Sequence, residues 1–492
     1  MEGRANPARL SSEVLNKRHS HSYLCSTAIL AAALAAAGCA VPLGPGYTVE
    51  RQRFEVAYVS APRPHVNVRA TWRVKNTGDR PLSAVEAKLP DVKTHGRSEV
   101  RVESGGSEAA ESQAEAGNTV SIALQTPLAV KAKQEISVSY ELAGGAGAGA
   151  GVVVEESAFV LPPGDWAPSL LPPKGAFARV GDPPKKWEMT VRVPSGFRVH
   201  SSGRERGQKR ETDSVVFRRE QQREGQAAFV AAGAYQEERI AGAGGEVIFW
   251  TRQAMPAGLA QRAAEAVART AQFYDQEFGA PRDFGTGERT VWIIECPSGR
   301  RPCWPVPEAV LPGREVRSAE FWSGGDIEID RHLARTWLDF RVHPDWDAEP
   351  LPMGALANYA ADLAGVEREG EAARPRMVRD LLRDFDRLPK QEPERAVLFV
   401  RLSDPEAQGR YAAVKSELFF FALEDEAGHE NLHRAILHLE QTFRGKAWRA
   451  GDLRAAAEQE SGKDLGALFR QWLTGSGIPE EFRKRYGESH LP

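Results

Sequence analysis

Two stretches of this 492-residue sequence place side chains at spacings that could do chemistry. His429-Glu430-Asn431-Leu432-His433 puts two imidazoles four residues apart. On a helix such a pair shares one face and can hold Zn²⁺, while the Glu between them takes a proton from a bound water. Asp452 follows after eighteen residues and could serve as a third ligand. On that reading His429, His433 and Asp452 hold the metal and Glu430 is the base of a hydrolase. The plainer reading is of two histidines at a helix surface. They border a face defined by Leu432, Ile436 and Leu439, and no edge strand precedes them. Asp452, in Gly451-Asp452-Leu453, then reads as the N-cap of the following helix. The plainer reading is preferred and the metal site is kept as the alternative. The second stretch, Arg331-His332-Leu333-Ala334-Arg335, has guanidinium groups at the same four-residue interval. These stay protonated at any working pH and cannot coordinate a metal. They could pair with Asp326, Glu328, Asp330, Asp339 or Glu349, or grip an anionic group in bidentate fashion.

Around these stretches the chain is organised as follows. Residues 1–38 read as a leader, with Arg4, Arg9, Lys17 and Arg18 ahead of an apolar run from Leu24 to Ala37. The run is too short for a permanent transmembrane helix. It ends in Ala36-Ala37-Gly38-Cys39, which resembles the bacterial lipobox. That resemblance implies lipidation of Cys39 and anchorage to a membrane of the bacterial cell envelope. Ala40 after it implies the outer membrane, facing the periplasm. A plain signal peptide with a chance Cys is the alternative. Cys296 and Cys303 flank a Pro/Gly/Arg loop and would form a local disulfide in an oxidising compartment. A net charge of −3 gives no basic footprint for nucleic acid.

The expected divisions are a tether at 39–48, an all-β domain at 49–245, a mostly helical domain at 246–482 and a tail at 483–492. Val66 to Val74, Thr190 to Val193 and Phe197 to Val199 alternate between faces as strands do. Gly144 to Gly151 lacks the Gly-Lys-Ser/Thr ending of a phosphate loop and reads as a hairpin connection. Leu259 to Phe278 reads as an amphipathic helix and Val291 to Ile294 as a buried strand. Ile327 and Ile329, between charges, read as a second short strand. Nearly everything from Arg331 onward reads as helix, with turns at Pro344, Pro350, Gly428 and Gly451.

This order resembles the aminopeptidase N family of gluzincin metallopeptidases. Trp166-Ala167-Pro168, Trp187 to Pro194, Ser202-Gly203, Phe273-Tyr274, Phe278-Gly279, Phe469 to Leu473 and Gly477-Ile478-Pro479 carry the likeness. It implies an α+β multidomain fold. An N-terminal β-sandwich or saddle domain would precede a thermolysin-like, mostly helical peptidase-type domain. The family's zinc motif can be laid on the chain without a gap, because Trp337, Val342 and Trp346 match on one side and Ala357 and Tyr359 on the other. In that register the first His is Arg331, the Glu base is His332, the second His is Arg335, and the third ligand is Gly354. The position of the catalytic Tyr is Ala413, with Tyr411 close but out of register. Pro307 to Gly313 does not resemble the family's Gly-x-Met-Glu-Asn. The expectation is a pseudopeptidase with no cofactor, binding a peptide, protein or envelope ligand in the former cleft. Zinc belongs only to the His429 alternative. A purely structural envelope scaffold is the third reading.

Overall fold

Strand His65–Asn76 shows why the first half of the chain is a sheet: Val66, Val68, Ala70, Trp72 and Val74 are buried while the residues between them are not. In the computed structural model, residues 46–487 are described apart from 91–96, 106, 109–110, 114–117, 144–151, 163–165, 172–185, 222–227, 243–244, 280–289, 298–308, 313–315, 325–326, 339–342, 345–354, 389–404 and 444–446. An eight-stranded sheet runs in the order Arg204–Arg210, Ser214–Glu220, Trp187–Pro194, Tyr47–Val59, His65–Asn76, Lys133–Leu142, Arg97–Ser104 and Ser107–Glu108. All its pairings are antiparallel except that of Tyr47–Val59 with Trp187–Pro194. Two four-stranded sheets complete the layers over a core that includes Trp72, Tyr140 and Trp166. The Trp166 indole N–H donates to the Ala228 carbonyl at 3.0 Å, and its own carbonyl accepts the Tyr140 hydroxyl at 2.5 Å.

A further sheet orders Gln236–Gly242, Gly245–Thr251, Thr290–Cys296 and Ala309–Pro312. The strand 236–242 therefore belongs with the second body, ahead of the expected boundary at 245. Val153, Val160, Phe229, Ala231, Ile248, Trp250 and Ile294 form a separate core cluster that joins this sheet to the strands before it.

The helices follow as α1 (Leu259–Phe278), α2 (Ala319–Gly324), α3 (Ile327–Leu338), α4 (Ala355–Glu369), α5 (Arg374–Arg387), α6 (Pro405–Ala427), α7 (His429–Thr442), α8 (Ala450–Ser461), α9 (Gly466–Phe469) and α10 (Glu480–Tyr486). Residues 327–330 are helical and not the strand their alternation suggested. Ile329, Leu333 and Trp337 recur every four residues and all are buried, so the helical period wins over a two-residue alternation. Gly451 lies inside α8 rather than at a turn. The last helix runs past 482 to Tyr486, which is buried and donates its hydroxyl to Asp425 at 2.8 Å, so the start of the expected tail is packed. Helices α4 and α6 are buried nearly all round from Ala355 to Val366 and from Lys415 to Leu423. That marks them as the centre of the helical body. Among the described residues, no helix is long and apolar enough to cross a membrane.

Candidate functional site

Helix α3 presents Arg331, His332 and Arg335 from one turn. It packs on α4, and α4 packs on α6, so charges on α3 meet the polar interior of those two helices. Arg331 meets Glu417 on α6, with Nη2 3.8 Å from Oε1. Of the five nearby acids, Asp330 alone has a described side chain. It pairs with Arg368 at 2.7 Å and accepts the Thr270 hydroxyl at 2.9 Å. Asp326, Asp339 and Glu349 lie outside the described residues, as do Gly354, Cys39, Cys303 and the 144–151 segment.

Glu417 is only 2% exposed and also accepts the Asn358 amide at 3.1 Å. Asp362, equally buried on α4, hydrogen-bonds to Glu417. Burial first, and then the Glu417 carboxylate, push the Asp362 carboxyl well above its usual range, against the pull of Arg331. Asp362 therefore keeps its proton well above the usual carboxylate range, with one guanidinium beside it. His332 is buried, and burial together with the charges of Arg335 and Arg331 draws its imidazole down to about 3. It is neutral at any ordinary pH and cannot act as the acid partner of a proton relay there.

Ala413 sits on α6 with only a methyl group to offer, and the Tyr411 ring packs on Phe385 at 5.0 Å. Lys415 is fully buried and donates to the Gly475 carbonyl at 2.7 Å, which ties α6 to the π-helical turn Arg470–Thr474. Cys296 is disulfide-bonded.

The His429 motif does open a helix, α7, whose buried face is Leu432, Ala435, Ile436 and Leu439. His429 uses Nδ1 on Glu424 at 2.8 Å and Nε2 on Glu277 at 3.2 Å. Those bonds to Glu277 and Glu424 raise it to about 10. His433 is half-buried with its ring edge toward Phe278, and burial lowers its pKa. The Glu430 side chain is 88% exposed, 3.8 Å from Arg434. Asp452 is not an N-cap. It stands at the third position of α8 and accepts the Arg449 backbone N–H at 2.7 Å, Arg449 being the cap. Among the described residues, no group of three or more His, Cys, Asp or Glu side chains could hold a metal ion.

The residues that sequence reasoning missed are Asp362, Glu417 and Glu424. Asp362 lies inside the apolar run Ala360-Ala361-Asp362-Leu363-Ala364, and Glu417 and Glu424 flank the apolar run Leu418 to Leu423. An acid in that setting must find a counter-charge or keep its proton.

Compared with solved structures, the fold is that of M1 zinc metallopeptidases. A mutant M1 zinc metallopeptidase from Deinococcus radiodurans is 16% identical and superposes with a TM-score of 0.57 over 88% of this chain and 96% of that one. A two-domain M1 zinc metallopeptidase mutant bound to L-tryptophan is 17% identical, with a TM-score of 0.59 over 88% and 96%. The Deinococcus radiodurans mutant bound to a Tyr-Ser-Ala substrate is 16% identical, with a TM-score of 0.56 over 88% and 95%. No protein-family model matches the sequence, and no curated protein matches it. At these identities the likeness concerns the fold.

Proposed function

We propose that this chain is a pseudopeptidase: a peptidase fold, held at the bacterial cell envelope by lipid on Cys39, that binds a peptide, protein or envelope component without hydrolysing it. The observation that carries the reading is the contact between Arg331 and buried Glu417. A peptidase of this fold needs a dication there and a base beside it. The residues present do not fit zinc. Arg331 and Arg335 are cations with no lone pair to give, and two of them would repel Zn²⁺. His332 is a single buried imidazole where the base should be.

The same positive groups give the former cleft a use. A guanidinium carries five N–H donors, so Arg331, with Glu417 beside it, and Arg335 can still take a further carboxylate or phosphate, as at the C-terminus of a peptide or on an anionic envelope component. Lipidation at Cys39 would place that surface against the outer membrane from the periplasmic side. The His429 arrangement gains no support from the geometry, because Glu430 points to solvent and the Asp452 carboxylate accepts the Arg449 backbone N–H.

The test is metal analysis of the purified protein after EDTA treatment and zinc reloading, with a peptide-hydrolysis assay alongside. The expected result is substoichiometric zinc and no chelator-sensitive cleavage. One zinc per chain, or cleavage abolished by a chelator, overturns the reading. Equilibrium binding of acidic peptides to the wild type and to Arg335→Gln separates a binding protein from a bare scaffold. A scaffold would leave both without saturable binding.

A further inference from the structure

A cavity of about 350 Å³ opens between α1, α2, α3 and α4, and neither Arg331 nor Arg335 lines it. We propose that this cavity is a binding site for a small aromatic molecule carrying both a positive and a negative group. Its volume falls within the roughly 300–1,000 Å³ of small-molecule sites. It equals about a dozen waters at ~30 Å³ each, the size of one ring with a short polar end.

The walls set the chemistry of the body. Phe273 comes from α1, and Phe321 and Trp322 from α2. The last two rings meet edge to face, 4.9 Å apart at 88°. Trp322 donates its indole N–H to the Val316 carbonyl at 2.9 Å, so its polar edge is already satisfied and its apolar surface is what remains for the cavity. Flat rings pack on such walls by offset or edge contacts.

The charges set the chemistry of the ends. The lining holds two bases, Arg269 and Arg368, and two acids, Asp330 and Glu367. Asp330 and Arg368 pair at 2.7 Å, and the Thr270 hydroxyl donates to the same carboxylate. That pair makes a neutral floor. The remaining charges stand on different helices, Arg269 on α1 and Glu367 on α4, both exposed. A ligand with a carboxylate toward Arg269 and an ammonium toward Glu367 satisfies both. A ligand with one charge satisfies one and meets a like charge at the other.

The test is isothermal titration calorimetry on the purified full chain with four probes that share one ring: indole, tryptamine, indole-3-acetate and L-tryptophan. L-tryptophan is expected to bind saturably at one site, about threefold or more tighter than each of the other three, as exposed charge pairs allow. Gln276→Trp, at an exposed position beside the cavity, is expected to weaken that binding by about tenfold while leaving the thermal melt unchanged. Ala266→Phe, which fills the cavity from α1, is expected to do the same to binding. Three results overturn the proposal. One is the absence of saturable heat from L-tryptophan at millimolar concentration. Another is equal or tighter binding of any other probe. The third is unchanged binding in folded Gln276→Trp. Metal content bears on none of these outcomes, so this site stands or falls separately from the pseudopeptidase reading.

Discussion

Arg331 and Glu417 meet across 3.8 Å inside the helical body, where the zinc-peptidase pattern has a histidine reaching for a metal. The guanidinium supplies a fixed positive charge that no chelator can remove. Burial and the neighbouring Glu417 hold the Asp362 carboxyl well above its usual range, so Asp362 keeps its proton beside that cation. Arg331 on α3, Asp362 on α4 and Glu417 on α6 thus form one charged group that links three helices.

The proton on Asp362 makes stability pH-dependent with a definite sign. The folded Asp362 carboxyl is raised above its unfolded value of 3.8. As pH rises past that value, the unfolded chain gives up the proton while the folded chain keeps it. The unfolded state then binds fewer protons, and stability falls with rising pH until the folded group also titrates. Asp362→Asn has no proton to lose there. Urea midpoints of the variant minus wild type should therefore increase from pH 5 to pH 8. A difference that stays constant, or shrinks, removes the raised Asp362 proton from the account.

Removing the cation tests the other half of the group. Arg331→Met leaves the carboxyl pair without its counter-charge and is expected to cost about 1–3 kcal/mol. That lies below the value for a fully buried pair, because the Arg331 side chain is 30% exposed. Glu417→Gln removes the charge that Arg331 answers, so the double variant should be less destabilised than the sum of the singles. A coupling of about 1 kcal/mol in urea melts is the expected outcome. Additive losses would place the partner of Arg331 elsewhere.

Much of the architecture was legible because local patterns decide it. The residues Leu259, Ala263, Val267, Ala271, Tyr274 and Phe278 recur at helical spacing, and Gly258 and Gly279 bound the helix with positive φ. The strands around Val66 and Thr190 declared themselves by alternation. Ile327-Glu328-Ile329 misled because three residues fit both periods, and only Leu333 and Trp337 break the tie. Strand Gln236–Gly242 pairs with Gly245–Thr251 across the expected division at 245, because a strand's own residues do not state which sheet it joins. The sequence singled out Arg331, His332 and Arg335 by their spacing on one helical turn. Their partners were not legible. Glu417 lies on a helix far along the chain from Arg331, and nothing local in either segment specifies how α3, α4 and α6 pack.

Two glycines make opposite predictions from the same substitution. Gly233 ends strand Val230–Gly233, beside the seam between the two bodies. A Cβ there would overlap Ala158 Cβ and lie 2.8 Å from the Tyr235 ring and 2.9 Å from the Ser157 carbonyl. Two of those three neighbours cannot swing away. Gly233→Ala is expected to destabilise by about 1–3 kcal/mol through overpacking. Gly365 lies within α4, where a Cβ would meet the Met377 methyl, the free end of a flexible side chain. Gly365→Ala gains helix propensity of up to ~1 kcal/mol and loses part of it to moving Met377. Thermal melts of the two variants should bracket the wild type, with Gly233→Ala well below it and Gly365→Ala near or slightly above.

His429 supplies a prediction that bears on chemistry as well as stability. Its ring sits between Glu277 and Glu424, and the bonds to them raise its pKa from 6.5 to about 10. Below pH 6.5 the imidazolium forms in both folded and unfolded chains, and its bonds contribute their full stabilisation. Between 6.5 and about 10 the unfolded chain loses the proton and the folded chain keeps it, so the contribution drains away as pH rises. The side chain is 48% exposed, so solvent screening leaves about 1 kcal/mol of this effect. Wild type should lose that much relative to His429→Gln between pH 6.5 and 10 in urea melts. The same proton competes with any metal for the ring, since a ligand imidazole must be neutral. Zinc added at pH 7 should therefore leave the His429 imidazole NMR signals in their protonated positions. Their displacement by one equivalent of zinc would return His429 to the ligand role.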